Sequence, residues 1–248
     1  MLSFHLRKAA VNGLSAVAFL TLATSAQATL VFTNGSFETT TNGKGELGFN
    51  TIATGWTTTG YNFLYTSGSA DTTGATGQDG NVQLWGPGNG SANGLPASSP
   101  DGGNFVAADG VFQVGAIQQT ITGLTKGNAY AVGFWWAGAQ QSGYNTATTE
   151  QWQVSLGGQT QSTVVVTDAS HGFTGWVHKT FTFTADNTSD VLSFLAIGTP
   201  AGVPPFVLLD GVTVAAAVPE PGSWALMAGG LALMCGLGVL RSKMGLKS

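Results

Sequence analysis

The sequence predicts an all-β protein, an antiparallel β-sandwich of jelly-roll type. Three observations in residues 29–217 indicate this class. Apolar residues alternate with Thr, Ser and Gln, as Phe181 and Phe183 do among the threonines of residues 177–184. Gly, Asn, Asp or Pro interrupts most of the intervening segments, and no window there shows a helical period. Strands with one apolar face pack as two face-to-face sheets.

The strand pattern recurs along this region. Predicted strands cover residues 30–33, 82–85, 104–107, 116–121, 130–136, 151–156, 160–167, 177–184, 191–197 and 206–214. Trp136 and Trp152 fall on apolar faces and are expected in the core, whereas Trp135 points to the opposite side of its sheet. Residues 86–103 have no periodicity and are predicted to form one long loop.

The first 28 residues have the pattern of a signal peptide. Arg7 and Lys8 precede an apolar stretch over residues 9–23, which predicts a signal helix. Ala26-Gln27-Ala28 has the small-x-small form of a signal-peptidase site, so cleavage is expected after Ala28. The alternative is an amphipathic N-terminal helix of a cytosolic protein. Residues 29–217 then form the β-sandwich domain.

The charge of residues 29–217 limits the possible partners. Three lysines, no arginine and eleven acidic residues give a formal charge of −8. Such a surface repels phosphate backbones, so we expect no nucleic-acid partner, whereas divalent cations and neutral glycans are compatible with it. Cys235, the only cysteine, lies outside this region, so no disulfide is expected in the sandwich.

Residues 218–248 have the pattern of a membrane-inserted tail. Residues 222–240 are uncharged, and 19 residues at about 1.5 Å each nearly span a hydrocarbon core of roughly 30 Å. This predicts one C-terminal transmembrane helix. Arg241, Lys243 and Lys247 follow it, which places the C-terminus in the cytoplasm by the positive-inside rule.

The order of parts in this tail resembles the PEP-CTERM sorting signal. The matching residues are Val218, Pro219, Glu220 and Pro221, the apolar run of residues 224–240, and Arg241. The prolines disfavour helix and keep the segment extended. The resemblance implies an exosortase as partner. It also implies transient residence in the inner membrane, followed by display at the cell surface or in the extracellular matrix of a Gram-negative bacterium.

Three further motifs resemble the galactose-binding-like β-sandwiches, in particular carbohydrate-binding modules. They are NGSFE at residues 34–38, IQQTITGL leading to Gly127 and Tyr130, and LDGV at residues 209–212. The resemblance implies a structural Ca²⁺ held in part by Glu38 and Asp210, and Ca²⁺ prefers such hard oxygen ligands. The alternative from the residues alone is that Glu38 caps a turn and Asp210 accepts backbone hydrogen bonds.

The sequence predicts a protein that is not an enzyme. Beyond the signal peptide only His171 and His178 are histidines, and neither a GxSxG nor an HExxH motif is present. Asp168, Ser170 and His171 lie together in sequence, but adjacent residues of one turn rarely point at one another. No local motif selects a catalytic carboxylate pair. The alternative is a secreted hydrolase acting on polysaccharide.

Exposed aromatic rings are the usual platforms for sugar rings. Trp85 opens the long loop and Tyr144 lies in the segment QQSGY, so both are predicted to bind ligand. The alternative is that each covers the rim of the sandwich. The expected function is therefore that of an exported surface or matrix protein whose non-catalytic sandwich binds or organises exopolysaccharide.

Overall fold

The structure is a computed structural model that describes residues 29–217. The predicted signal helix with its cleavage residues Ala26 and Ala28 lies outside the described residues. The sorting motif and the C-terminal apolar run lie outside them as well. Within residues 29–217, no helix is long and apolar enough to cross a membrane.

The described residues form thirteen strands and one 3₁₀ turn. The strands are β1 (Gly45–Glu46), β2 (Asn62–Tyr65), β3 (Ala75–Gly77), β4 (Gly80–Val82), β5 (Phe105–Asp109), β6 (Ile117–Thr122), β7 (Ala129–Gln140), β8 (Thr148–Leu156), β9 (Gln159–Ser162), β10 (Val166–Asp168), β11 (Val177–Thr184), β12 (Ser189–Thr199) and β13 (Pro205–Ala216). The 3₁₀ turn covers Pro87–Asn89.

These strands build two main antiparallel sheets. The first has the order β1-β2-β5-β13-β7-β11. The second has the order β10-β8-β12-β6, with β9 also paired to β8. Strands β3 and β4 form a separate hairpin. The predicted all-β sandwich is confirmed.

The sandwich core lies between the two sheets, where alternate residues of the long strands face inward. Phe194 of β12 packs edge-on against Phe134 at 5.2 Å and Trp152 at 5.8 Å between ring centroids. Trp136, Phe181 and Phe183 are buried in the same cluster, as their alternation predicts. Trp135 projects from the other side of β7, where its ring lies 5.0 Å from that of His178.

A second apolar cluster covers part of the outer face of the six-stranded sheet. Residues 66–104 fold over this face and bury Leu84 and Leu95 against Tyr65 and Phe105. The predicted long loop is irregular apart from its 3₁₀ turn. It belongs to the packed structure because it shields apolar side chains of β2, β5 and β13 from water.

The first predicted strand, residues 30–33, does not form. Only Val31 makes a bridge, to Thr122. The side chain of Gln119 pairs with Thr33 instead, accepting from its N–H and donating to its carbonyl, both at 2.9 Å. A side chain thus satisfies the backbone groups that a strand partner would have paired. The predicted strand at 160–167 divides into β9 and β10, and that at 82–85 shortens to the end of β4.

A β-bulge interrupts the pairing of β13 with β7 between Asp210 and Thr213. Gly211 adopts φ +55°, a left-handed conformation that favours glycine. Because of the extra residue, Leu209 and Val212 both face the core, although strict alternation would place them on opposite faces. The bulge lies beside the NGSFE loop, where the Val212 N–H donates to the Gly35 carbonyl at 3.0 Å.

Candidate functional site

A cleft of about 300 Å³ opens where several loops meet at one end of the six-stranded sheet. It is lined by Tyr61, Asp79, Asp109, Val111, Phe112, Gln141, Tyr144, Gly202 and Pro204. These residues come from the start of β2, the β3–β4 turn, the segment after β5, the end of β7 and the loop before β13. The cleft combines aromatic rings with carboxylate and amide groups.

Asp109 organises one wall of this cleft. One of its carboxylate oxygens, Oδ1, accepts hydrogen bonds from the N–H groups of Val111 at 2.8 Å and Phe112 at 3.0 Å. The resulting Asx turn ends β5 and projects Phe112 outward, with 46% of its surface exposed. The Phe112 ring stands edge-on to Tyr61 at 5.1 Å. A buried carboxylate thereby fixes an exposed aromatic ring.

The chemistry of the cleft is set by burial and by neighbouring acids. Burial raises the pKa of Asp109 to about 6, although the N–H groups of Phe112 and Val111 oppose the rise. Its second oxygen, Oδ2, is buried without a hydrogen-bond partner in the described region. Burial also raises the pKa of Tyr61 to about 12, with Asp79 the next largest cause. Tyr61 is therefore a neutral phenol at physiological pH.

The two aromatic residues predicted to bind ligand lie side by side. The Trp85 indole N–H donates to the Tyr144 carbonyl at 2.8 Å, and Tyr144 itself lines the cleft. The Trp85 ring stacks on His171 at 4.0 Å between centroids with an interplanar angle of 35°. Trp85 thus supports the Tyr144 segment while the His171 ring covers one of its faces. Both aromatic residues are half-buried.

Glu38 and Asp210, the predicted metal ligands, lie on either side of the segment 99–104. Asp210 is fully buried and its Oδ2 accepts from the Ser99 hydroxyl. Glu38 is exposed and its Oε1 accepts from the Asn104 N–H at 2.6 Å. Asp210 Oδ1 is buried without a hydrogen-bond partner among residues 29–217. Donors of the segment 99–104 therefore engage Glu38 Oε1 and Asp210 Oδ2, and the buried Asp210 Oδ1 is left without a hydrogen bond of normal geometry.

Burial raises the pKa of Asp210 to about 8. Hydrogen bonds from Ser99 and Gly211 oppose the rise, and the nearby charges of Asp101 and Glu38 add to it. Gly103 lies against the Glu38 carboxylate so closely that a Cβ there would stand 1.9 Å from Oε1. Within residues 29–217, no three His, Cys, Asp or Glu side chains are grouped so that they could hold a metal ion. A metal bound here would need backbone or hydroxyl oxygens in addition.

The Asp168-Ser170-His171 segment is not arranged as a catalytic relay in the described region. His171 Nε2 pairs with the side-chain oxygen of Asn145 at 2.7 Å, and its backbone N–H donates to Gln140 Oε1 at 2.7 Å. Asp168 is buried, with 2% of its surface exposed, and Gly172 is packed against it.

Sequence reasoning missed most of the cleft. Phe112, Asp79 and Gln141 carry no motif, because each lies in a turn or at a strand end whose partner is far away in sequence. One signal was available. Phe112 is a large apolar residue in the non-periodic segment directly after Asp109-Gly110, and an aromatic ring in such a turn is often exposed.

Comparison with known proteins gives similarity in sequence and in fold. No protein-family model matches the chain. Halomucin of Haloquadratum walsbyi (strain DSM 16790 / HBSQ001) is 28% identical over 210 residues, which cover 81% of this chain. The match spans only 2% of the length of halomucin.

The solved structures with similar folds include carbohydrate-binding modules. TmCBM61, solved with β-1,4-galactotriose, is 19% identical and aligns 75% of this chain with 97% of its own at a TM-score of 0.39. The CBM22-1 xylan-binding domain of Paenibacillus barcinonensis Xyn10C is 11% identical. The alignment covers 79% of this chain and 100% of that domain at a TM-score of 0.39. The N-terminal cellulose-binding domain of Cellulomonas fimi β-1,4-glucanase C is 13% identical. The alignment covers 67% of this chain and 91% of that domain at a TM-score of 0.31.

Proposed function

We propose that this protein binds a neutral glycan in the cleft between Phe112 and Tyr144. The observation that carries the proposal is the combination of groups in one cleft. Aromatic rings there offer apolar faces to sugar rings, and Asp79 and Gln141 offer acceptors and donors to hydroxyl groups. A cleft of about 300 Å³ is at the lower end of the range typical for small-molecule sites.

The charge of the domain favours a neutral glycan over an acidic one. The cleft is lined by two carboxylates and by no lysine, and residues 29–217 carry a formal charge of −8. A uronic acid or sulfated sugar would be repelled by this field, whereas hydroxyl groups donate readily to carboxylates.

Removal of the aromatic rings tests the binding proposal. Binding of the full chain is measured on a glycan array and by affinity electrophoresis in neutral polysaccharides, including the producer's own exopolysaccharide. We expect Tyr144→Ala and Phe112→Ala each to weaken binding about tenfold, since stacked rings contribute about 1–2 kcal/mol. Phe49→Ala is the matched control, because Phe49 is 56% exposed and lies outside the cleft. Retention on none of the glycans would overturn the proposal.

A polysaccharide hydrolase is the second candidate, and one observation favours it. Asp79 and Asp109 line the same cleft, and Asp109 has a raised pKa of about 6, as a general acid requires. Against it, Asp109 is only 1% exposed and its Oδ1 is engaged by two N–H groups. A reducing-end assay on the glycans that bind decides the matter. Release of sugar that Asp79→Asn abolishes would establish catalysis.

Export and sorting form a separate part of the proposal and rest on the sequence alone. Signal cleavage after Ala28 and recognition of Val218-Pro219-Glu220-Pro221 by an exosortase would deliver residues 29–217 to the surface or matrix. The intact mass of protein released from the cell surface tests this. A mass that begins at Thr29 and ends near Glu220 is expected, and a retained tail would indicate a permanent anchor instead.

A structural Ca²⁺ at Glu38 and Asp210 completes the proposal. The partnerless buried oxygen Asp210 Oδ1 and the backbone of Gly103 packed on Glu38 support it. A bound cation would offset the cost of burying the Asp210 charge and would join the first loop to the last strand. Thermal unfolding with and without EDTA tests it. Asp210→Asn is expected to show a smaller calcium-dependent rise in the midpoint than wild type, and a rise equal to that of wild type would refute the site.

A further inference from the structure

A second group of buried oxygens lies at the edge of the five-stranded sheet, far in sequence from the NGSFE loop. Asp168, the last residue of β10, stands directly opposite Thr148, the first residue of β8. Glu150 follows two residues along β8 and therefore projects from the same face. The exposed fractions are 1% for Thr148, 0% for Glu150 and 2% for Asp168.

Four oxygens of this group make no hydrogen bond of normal geometry within residues 29–217, although the Thr148 hydroxyl lies close enough to Glu150 to act on its pKa. They are Glu150 Oε1, Glu150 Oε2, Asp168 Oδ2 and Thr148 Oγ1. Native proteins leave few buried polar atoms without a partner, because each costs about 1–3 kcal/mol and a charged one costs more. Four in one place, from three adjacent side chains, require an explanation that packing does not give.

The backbone around the group leaves room for these carboxylates. Gly138 of β7 faces Glu150, and a Cβ at this position would lie 2.7 Å from Glu150 Oε2. Gly172 lies against Asp168, where a Cβ would come within 2.0 Å of Oδ1. Neither glycine has a left-handed φ, so space and not conformation accounts for both.

The loop that closes over the group is held in place from outside. Asn93 Nδ2 donates to the carbonyls of His171 at 3.0 Å and Gly172 at 2.9 Å, and Ser91 Oγ donates to His171 at 2.7 Å. On the inner side, the Gly138 N–H donates to Thr174 Oγ1 at 2.8 Å. These hydrogen bonds hold the backbone beside Asp168 and Glu150 in place, and a fixed surrounding shell favours binding of an ion.

No lysine of residues 29–217 is placed to neutralise these carboxylates. Lys44 Nζ contacts Thr73, Lys179 lies over the Phe181 ring at 5.1 Å, and Lys126 is exposed in the turn after β6. Burial raises the pKa of Glu150 to about 8, with Thr148 opposing and Asp168 adding to the rise. Burial likewise raises that of Asp168 to about 7. No lysine of the described region therefore balances the charge that these two buried acids carry when ionised.

We propose that Glu150, Asp168 and Thr148 form a buried site for a divalent cation, Ca²⁺. All the available ligands are hard oxygens, a set that suits Ca²⁺, Mg²⁺ and Mn²⁺, whereas Zn²⁺ and Cu²⁺ are usually held by nitrogen or sulfur ligands. Ca²⁺ accepts six to eight oxygens in irregular geometry, whereas Mg²⁺ demands near-octahedral geometry and retains waters. A bidentate glutamate, an aspartate and a hydroxyl supply four oxygens, and the two carboxylates balance the double charge.

The site has a structural consequence that the glycan cleft does not. Strand β10 pairs only with β8, through three residues, and lies at the edge of its sheet. An ion shared by Asp168 of β10 and Glu150 of β8 would fasten this short strand, and with it the loop on which His171 supports Trp85. The ion is inferred from these buried oxygens and not from the proposed glycan binding.

The number of bound ions provides the first test. Calcium per full-length chain is counted by elemental analysis after exhaustive dialysis, for wild type and for Glu150→Gln/Asp168→Asn. We expect the double variant to hold one ion fewer than wild type, and Asp210→Asn to retain this ion whatever happens at the other site. Glu46→Gln is the matched control, since Glu46 is a buried glutamate whose oxygens accept from Gln78. Equal counts in wild type and the double variant would overturn the site.

Luminescence of Tb³⁺, a substitute for Ca²⁺, locates the ion. Trp152 lies two residues beyond Glu150 on the same face of β8 and is expected to sensitise Tb³⁺ emission. Trp152→Phe should lower the emission at least twofold without changing the ion count. Emission that is unchanged in both Trp152→Phe and Glu150→Gln would place the ion elsewhere and refute the proposal.

Thermal unfolding distinguishes a cation from a shared proton. For calcium at a hundredfold excess over its dissociation constant, we expect a midpoint roughly 5–10 °C higher in wild type than in EDTA. Asp210→Asn should keep the part of the calcium-dependent rise that comes from Glu150 and Asp168. Glu150→Gln, which preserves the shape of the side chain, should lose most of that part. If instead Glu150→Gln matches or exceeds wild type in EDTA and Asp210→Asn shows no calcium response, the pair is a protonated one and the cation site is refuted.

Discussion

Two buried acidic regions of this sandwich differ in how their carboxylates are hydrogen-bonded. At the start of β12, Asp190 is 6% exposed and accepts three hydrogen bonds, from the N–H of Asp186 and from the N–H and Nδ2 of Asn187. At the β8–β10 edge, Glu150 is equally buried and accepts no hydrogen bond of normal geometry in the described region, only the weaker approach of the Thr148 hydroxyl. The first carboxylate is committed to the fold. The Glu150 carboxylate has oxygens free to bind another group, which is typical of a side chain that contacts a ligand.

The largest effect on stability is expected from Asp190→Ala. Three buried hydrogen bonds to a carboxylate are lost and the turn between β11 and β12 loses its organising group, so the free energy of unfolding should fall by about 3 kcal/mol. Urea denaturation measures it. Calcium should make no difference to the loss. Asp186→Asn, an exposed change in the same turn that keeps the bonds to Asp190, should cost less than about 1 kcal/mol. A loss for Asp190→Ala no larger than that would show that the bonds to Asp190 are unimportant.

Asp109 lies between the two cases, since one oxygen accepts two hydrogen bonds and the other none. Its pKa of about 6 is above the ordinary value of 3.8 because the group is buried. The folded state therefore holds a proton that the unfolded state releases, so this group's contribution to stability falls as pH rises from about 4 to 6. The fall is up to about 3 kcal/mol and ends above pH 6.

Asp109→Asn should remove this pH-dependent part. The measurement is urea denaturation at pH 4, 5, 6 and 7, with the variant subtracted from wild type at each pH. Glu46→Gln serves as the comparison, because its carboxylate already has donors. A difference curve for Asp109→Asn that is flat between pH 4 and 6 would contradict a raised pKa.

Glu46 resembles Asp190 with fewer bonds, and a smaller loss is expected. Its Oε2 accepts from the Gln78 N–H at 2.6 Å and its Oε1 from Gln78 Nε2 at 3.2 Å. In Glu46→Gln the amide oxygen can still accept from the Gln78 N–H. The new amide NH₂ group would face Gln78 Nε2, so two donors would meet where a bond was made before. The free energy of unfolding should fall by about 1 kcal/mol, measured by urea denaturation. A stabilised variant would mean that the carboxylate costs more to bury than its bonds return.

Asp79 is exposed, unlike the buried acidic residues Asp190 and Asp109, so its substitution should have the smallest effect on stability. It accepts one bond from Gln113 Nε2 at 3.2 Å at the edge of the cleft. Asp79→Asn should change the free energy of unfolding by less than about 0.5 kcal/mol. It should still weaken glycan binding about tenfold in affinity electrophoresis, because a carboxylate accepts more strongly than an amide. Unchanged binding would remove Asp79 from the site.

The sequence allowed the sandwich to be predicted because its signal is local. Alternation placed Trp136, Trp152, Phe181 and Phe183 correctly, since the two-residue period decides which face a side chain occupies. It failed at residues 30–33, where Gln119 replaces a strand partner from 86 residues away along the chain. Nothing within residues 30–33 themselves reports that contact.

The candidate sites were harder to predict because they are assembled by pairing between distant strands. Asp168 and Thr148 meet only because β10 pairs with β8 in one register, and a slip of one residue would separate them. Likewise Trp85 and Tyr144 carry no shared motif, yet they are joined by a hydrogen bond across 59 residues. Motif resemblance pointed to Glu38 and Asp210, which contact the same segment 99–104 from opposite sides, through Asn104 and Ser99.

The position of β13 has a mechanical consequence. This strand is flanked on both sides, by β5 over residues 206–209 and by β7 over residues 205–216, and the Ala217 N–H still donates to the Ala129 carbonyl at 2.8 Å. A pull applied at residue 217 therefore enters the domain along an interior strand and loads two ladders in shear, so many hydrogen bonds must break together. The domain is built to resist tension at that end far better than a domain whose last strand peels from a sheet edge.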